Sequence, residues 1–136
     1  LIPLTIKRCL EKKPIPIYGN GKNIREWIHV DDHSQIIIKL KKFGKYGEAY
    51  NIGSGYEISN IKLVKTICLI FNKLTNNKYN YENLITFVED RKAHDFRYSV
   101  SNKKLLKCIG KYKFKQFETE LEKTIKWFII YFNAKI

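Results

Sequence analysis

Two short stretches hold the side chains with the most chemical capacity. The first is Ile24-Arg25-Glu26-Trp27-Ile28-His29-Val30, where one arginine alternates with a tryptophan and a histidine. In extended backbone, alternation sends Arg25, Trp27 and His29 to one face and Ile24, Glu26, Ile28 and Val30 to the other. A guanidinium is planar, stays charged and offers five donors in a fork, which suits phosphate oxygens. The competing account is a surface arginine paired with Glu26 or Asp31, and spacing alone favours that pairing. The second stretch is Glu89 to Asp95, EDRKAHD, with three acids, an arginine, a lysine and a histidine in seven positions. Asp90, His94 and Asp95 are of metal-ligating type, but their spacing matches no standard motif and no cysteine joins them. A solvated loop and a loop that offers Arg91 and His94 to an anion fit this chemistry equally.

Other polar groupings have plainer readings. Asp31-Asp32-His33 is either an acid/base cluster or the start of a helix, and adjacent carboxylates at a helix start are usually caps. Gly53-Ser54-Gly55 lacks the third glycine and the following helix of a phosphate loop, so it reads as a turn. Tyr18 with Lys22, and Tyr131 with Lys135, share the Tyr-x-x-x-Lys spacing. The first pair spans a glycine turn and the second lies at the chain end, so both read as coincidence.

The elements that must position these groups alternate along the chain. Pro3 to Lys13 reads as a helix that Pro14 ends. Ile15-Pro16-Ile17-Tyr18 reads as a strand, and Gly19-Asn20-Gly21 as a tight reversal into a second strand, Ile24 to Val30. Asp31 or Asp32 caps a helix from Asp32 to Phe43. Glu48 to Gly53 reads as a strand. Ser59 caps a helix to Leu74 with a wide apolar stripe. Thr75 to Asn83 is loop, Leu84 to Val88 a strand, and Phe96 to Val100 extended. A short helix begins at Ser101 and closes at Gly110. The last helix runs from Phe117 to Phe132, with Leu121, Thr124, Ile125 and Phe128 on one face. Alternating strands and amphipathic helices argue for an α/β fold.

The bulk properties narrow the class. With 136 residues the chain suits one modest domain. No run reaches the ~18 to 20 apolar residues of a membrane span, and the start is not a signal peptide. The chain opens on Leu1, has no methionine, and enters an apolar pattern at once, so it reads as the tail of a longer protein. Cys9, Cys68 and Cys108 are far apart and form no CxxC pair, which points to a reducing, cytoplasmic setting. The formal charge of +13 invites a small basic nucleic-acid-binding protein. Its lysines are spread along the chain and its arginines are few, so a solvated, lysine-biased surface is the better account.

Taken in order, PIPIYGNG, IREWIHVDDH, EAYNIGSGYEISN, ITFVEDRKAHDFRYSV and FETELEKTIKWF resemble the C-terminal portion of an extended short-chain dehydrogenase/reductase acting on nucleotide sugars. Within that group the chain is most similar to the dTDP-glucose 4,6-dehydratases, and the resemblance runs from Leu1 to about Phe132. It implies one substrate-binding portion over residues 1–136, with the Rossmann core and its NAD site largely outside the chain. It also implies a dTDP-sugar substrate and, for the complete enzyme, a homodimer. Ile15, Pro16, Ile17 and Tyr18 match the segment that holds the base, with Tyr18 as stacking partner. Arg25 matches an arginine that grips the diphosphate, which reverses the preference for a surface pair. Asn60 matches a substrate contact at a helix start. Asp90, Arg91, Lys92, Ala93 and His94 match a loop that closes over the nucleotide. Leu1 matches the end of a further binding segment.

The implied reaction is an internal redox cycle: NAD takes a hydride from sugar C4, water leaves across C5 and C6, and the hydride returns to C6. No catalytic residue of that cycle is found in this chain, so the chain alone is expected to be inactive. The alternatives are the same region of another nucleotide-sugar epimerase or decarboxylase, or an inactive remnant. Two departures stand out. The family's D-R-P-G-H-D loop is here Asp90-Arg91-Lys92-Ala93-His94-Asp95, which changes its backbone freedom. The family's L-G-W before a proline is here Ile109-Gly110-Lys111.

Overall fold

The computed structural model describes residues 1–132. Eleven elements follow one another: α1 (Ile2–Glu11), β1 (Ile15–Tyr18), β2 (Ile24–Glu26), α2 (Val30–Phe43), β3 (Glu57–Ser59), α3 (Asn60–Leu74), a 3-10 turn (Tyr81–Leu84), β4 (Ile85–Val88), β5 (Arg97–Tyr98), α4 (Lys103–Ile109) and α5 (Phe117–Tyr131). The α/β expectation holds. No helix among the described residues is long and apolar enough to cross a membrane.

The strands form two small sheets. β1 pairs in parallel with β4, Ile15 opposite Ile85 and Tyr18 opposite Val88. β2 is the centre of the other sheet, antiparallel to β3 and parallel to β5. The expected hairpin between β1 and β2 is therefore corrected. Gly19 N–H donates to Val88 O (2.9 Å) and Gly21 N–H to Tyr18 O (3.0 Å), while Ile61 N–H donates to Gly21 O (2.9 Å). Those bonds carry the chain from β1 towards the start of α3 instead of doubling it back. Gly19 and Gly21 adopt φ of +55° and +68°, which glycine tolerates without a Cβ penalty.

Other boundaries also move. β2 stops at Glu26 rather than Val30, because the cap of α2 is His29 and not Asp31 or Asp32: its Nδ1 accepts from Asp31 N–H at 3.2 Å. Asp31 and Asp32 occupy the first helical turn, where the dipole favours negative charge. Asp32 is buried and accepts from the Tyr112 hydroxyl and Lys115 N–H, both at 2.9 Å, tying the α4–α5 connection to α2. The expected strand from Glu48 to Gly53 is absent. Lys104 Nζ and Asn102 Nδ2 donate to Ala49 O and Gly53 O instead, and no strand among the described residues pairs with that segment. Ser59 is the N-cap residue of α3 but makes no side-chain cap bond. The carbonyls of Asn23 and Gly21 accept from Asn60 and Ile61 N–H in its place.

One core joins α1, α3, α5 and the β1–β4 pair. Ile6 and Cys9, Ile15 and Ile17, Leu63, Val64, Ile67, Cys68 and Phe71, and Leu121 and Ile125 are among its buried members. Each large aliphatic or aromatic side chain so buried contributes roughly 1.5–3 kcal/mol. The helical stripes read from α3 and α5 are the faces that meet here. The core fixes β1 and α3 against each other, and these two elements frame the site.

Candidate functional site

Parallel pairing brings the turn after β1 and the loop after β4 to one edge, since both strands run out at the same end. At that edge lies a cavity of about 420 Å³, lined by Leu1, Leu4, Pro16, Ile17, Tyr18, Arg25, Trp27, Asn60, Arg91 and His94.

Arg25 projects from β2, and the main chain holds it in place. Its Nη1 donates to Ile24 O (2.7 Å) and its Nη2 to Asp95 O (3.1 Å). The Tyr98 ring lies under the guanidinium, 4.4 Å from centroid to Cζ. Arg91 enters from the opposite side, with its guanidinium 5.1 Å from the Tyr18 ring centroid. The two arginines meet at one atom: His94 Nε2 lies 3.0 Å from Arg25 Nη2 and 2.9 Å from Arg91 Nη2. On the other side of the imidazole, His94 Nδ1 lies 2.6 Å from Asp90 Oδ1. That hydrogen bond is the chief reason the Asp90 carboxyl sits below the ordinary carboxylate range. Among the described residues, no carboxylate forms an ion pair with Arg25 or Arg91. The surface pairing of Arg25 with Glu26 or Asp31 is thus not what the chain adopts. Glu26 accepts from Gly55 and Val100 N–H, and Asp31 pairs with Lys115.

With Lys-Ala where the family has Pro-Gly, the loop places His94 at the cavity. Ala93 adopts φ +55°, a left-handed conformation ordinarily left to glycine. Gly19 makes the close approach of Asp90 possible. A Cβ there would stand 2.7 Å from Asp90 Oδ2. Behind Arg25, Glu57 on β3 takes Arg97 of β5 in a two-bond grip, both at 2.7 Å, and accepts from Ser99 at 2.8 Å. These bonds hold the Glu57 carboxyl down at about 2. They lock β5, and so Tyr98, beside β2.

Eight of the sequence-nominated residues line this one cavity: Leu1, Pro16, Ile17, Tyr18, Arg25, Asn60, Arg91 and His94. Ile15 does not, because it is buried in the core against the helices. Asp90 stands behind His94, and Lys92 and Ala93 form the exposed turn of the loop without lining the cavity. Sequence reading passed over Leu4, Trp27 and Tyr98. Leu4 follows Leu1 by three positions, a helical spacing that could have nominated it. Trp27 shares the Arg25 face, a signal already noted. Tyr98 gave no signal, since it depends on the register of β2 with β5. Tyr18 lines the cavity while Lys22 sits across the turn, and Lys135 lies outside the described residues. Among the described residues, no group of three or more His, Cys, Asp or Glu is arranged to hold a metal, including Asp90, His94 and Asp95.

A second cavity, about 480 Å³, shares Trp27 and is lined by His29, Asp32, Tyr56, Lys115, Phe117, Glu118 and Glu120 among others. Its charges meet one another. Lys115 bridges Asp31 (2.7 Å) and Glu120 (3.7 Å), His29 Nε2 faces Glu120 (3.6 Å), and the Tyr56 hydroxyl donates to Glu118 (2.6 Å).

The chain is similar to several known proteins. Residues 1–53 match the NAD dependent epimerase/dehydratase family. A probable dTDP-glucose 4,6-dehydratase of Sinorhizobium fredii is 43% identical over 129 residues, which is 95% of this chain and 37% of that protein. The crystal structure of dTDP-glucose 4,6-dehydratase from Bacillus anthracis in complex with NAD superposes with a TM-score of 0.78 at 34% identity, over 94% of this chain and 38% of that one. A dTDP-glucose 4,6-dehydratase from Streptomyces venezuelae, also with NAD bound, gives 0.80 at the same identity and coverage. The chain thus spans well under half the length of the relatives it matches.

Proposed function

We infer that this chain, a homologue of the dTDP-glucose 4,6-dehydratases over a little more than a third of their length, is the substrate-binding portion of such an enzyme. The observation that carries this reading is the convergence of two guanidiniums, neither paired with a carboxylate among the described residues, at a cavity walled by a tyrosine ring. A diphosphate supplies the missing negative charge, and a flat base has the exposed Tyr18 ring to stack on. Asn60, in the first turn of α3, adds a side-chain amide where the helix dipole favours an anion. Pro16 and Ile17 give the apolar wall beside the base.

The glycine turn at Gly53–Gly55 is not built for the pyrophosphate of NAD. The one Gly-Ser-Gly loop spends its donors locally: Gly55 N–H on Glu26, and the Ser54 hydroxyl on Trp27 O at 2.5 Å. Gly53 packs against the Glu26 carboxylate, the wrong charge for a pyrophosphate. The cofactor belongs to the rest of the complete enzyme, and these residues bind and orient the substrate. Binding energy gathered at the nucleotide, remote from the reacting carbons, holds the sugar in place for chemistry performed elsewhere.

Calorimetric titration of the 136-residue chain with dTDP tests the reading. Saturable binding is expected, with no conversion of dTDP-glucose by the chain alone. No binding of dTDP, or equal affinity for any polyanion including DNA, would overturn it.

A further inference from the structure

We infer that His94 is a positioning residue whose bare Nε2 gathers Arg25 and Arg91 into a single cradle before any anion arrives. The inference rests on the diphosphate reading of this cavity and deepens it. Arg25 and Arg91 are like charges and repel, yet their Nη2 atoms both lie within 3.0 Å of the same imidazole nitrogen. Guanidinium nitrogens only donate, so Nε2 is the acceptor, its single lone pair shared between the two. The ring proton is then on Nδ1, where it donates to Asp90 Oδ1 at 2.6 Å.

The choice of acceptor matters. A carboxylate at this point would neutralise the arginines and compete with the ligand. An imidazole nitrogen satisfies the donors without cancelling the positive field. Of the carboxylates nearby among the described residues, Asp90 stands behind the ring and orients it, and Asp95 is taken by the Tyr98 hydroxyl. The histidine side chain is only 6% exposed, wedged edge-on beside Tyr18, so the ring has little freedom to turn.

The two arginines depend on His94 unequally. Main-chain carbonyls of Ile24, Asp95 and Phe96 also hold Arg25. Arg91 has His94 and the Tyr18 ring face. Loss of the acceptor should therefore release Arg91 first.

The test uses the 136-residue chain with inorganic pyrophosphate and with dTDP as probes. His94→Gln keeps an acceptor where Nε2 stood, and His94→Asn keeps only the Nδ1 side. Pyrophosphate affinity is expected to fall ~10-fold or more in His94→Asn and to stay within ~3-fold in His94→Gln, the scale of one charge-assisted hydrogen bond. Arg91→Ala should add little further loss in the His94→Asn background. Nitrogen NMR of the wild-type ring should show the proton on Nδ1 and a bare Nε2. An Nε2-protonated ring, or equal losses in both His94 variants, overturns the inference even if dTDP binds. Pyrophosphate binding with the expected His94 pattern, but no dTDP binding, upholds the cradle and removes the nucleotide reading.

Discussion

Trp27 stands between two cavities of similar size that handle charge in opposite ways. On the side of His29 and Lys115, the Lys115 ammonium has two acids within reach. On the side of Arg25 and Arg91, two cations converge on one imidazole nitrogen and, among the described residues, neither has a carboxylate partner. Size therefore says little about which cavity binds. The uncompensated charge separates the two, and on the proposed reading an anion from outside restores the balance.

Substitution can break this contrast. Arg25→Ala should weaken dTDP binding by ~1.5 to 3 kcal/mol, the scale of a hydrogen bond to a charged group. Glu120→Gln, across Trp27, should leave binding unchanged. Calorimetry on the two variants would erase the distinction if both lost affinity equally. Next in size is Gly19→Ala. It places a Cβ against Asp90 in a left-handed backbone and should cost about 1–2 kcal/mol of stability by thermal melting. It should also lower dTDP affinity by disturbing the support of His94. A smaller change of opposite sign is expected for Ala93→Gly. Relief at φ +55° outweighs the added freedom of the unfolded chain, for a gain of about 0.5–1 kcal/mol.

The last effect is a pH dependence. Glu57 has its folded pKa lowered from 4.5 to about 2 by Arg97 and Ser99. A depressed carboxyl contributes stability above its unfolded value and loses it as protons bind to the folded form. Its contribution is therefore present above pH 4.5 and fades between about pH 4.5 and 2. Glu57→Gln should flatten that part of the acid-unfolding curve, and a slope as steep as in the parent chain would rule the pair out as its source. Because Glu57 clamps β5 under Arg25 through Arg97, the same variant should loosen the cradle slightly while the Lys115 network is untouched.

Much of the site was legible from sequence because it lies in local motifs. Arg25 and Trp27 share a face through simple alternation, and Asp90 to His94 form one short loop. The helices were legible too, since their stripes of α3 and α5 are the faces that meet in the core. Pairing was not. Nothing local says that β1 joins β4 rather than β2, a choice made by Gly19 and Gly21 contacts with residues 61 and 88. The strand expected from Glu48 to Gly53 fails for a related reason. Alternating apolar residues become a strand only where a neighbour offers a ladder, and none does among the described residues. The cap of α2 was missed because histidine is not a usual N-cap, although its Nδ1 accepts as an aspartate oxygen would.

The parallel pairing of β1 and β4 carries one further consequence. The 75–80 turn feeds the amino end of β4 through the 3-10 turn, while the cradle sits where β1 and β4 leave the sheet. Register alone decides how the two halves of the binding edge meet, however long the excursion between them. Insertions and deletions in homologous chains should accordingly accumulate at that distal turn, where added length leaves ligand recognition intact, and be scarce between residues 18 and 21.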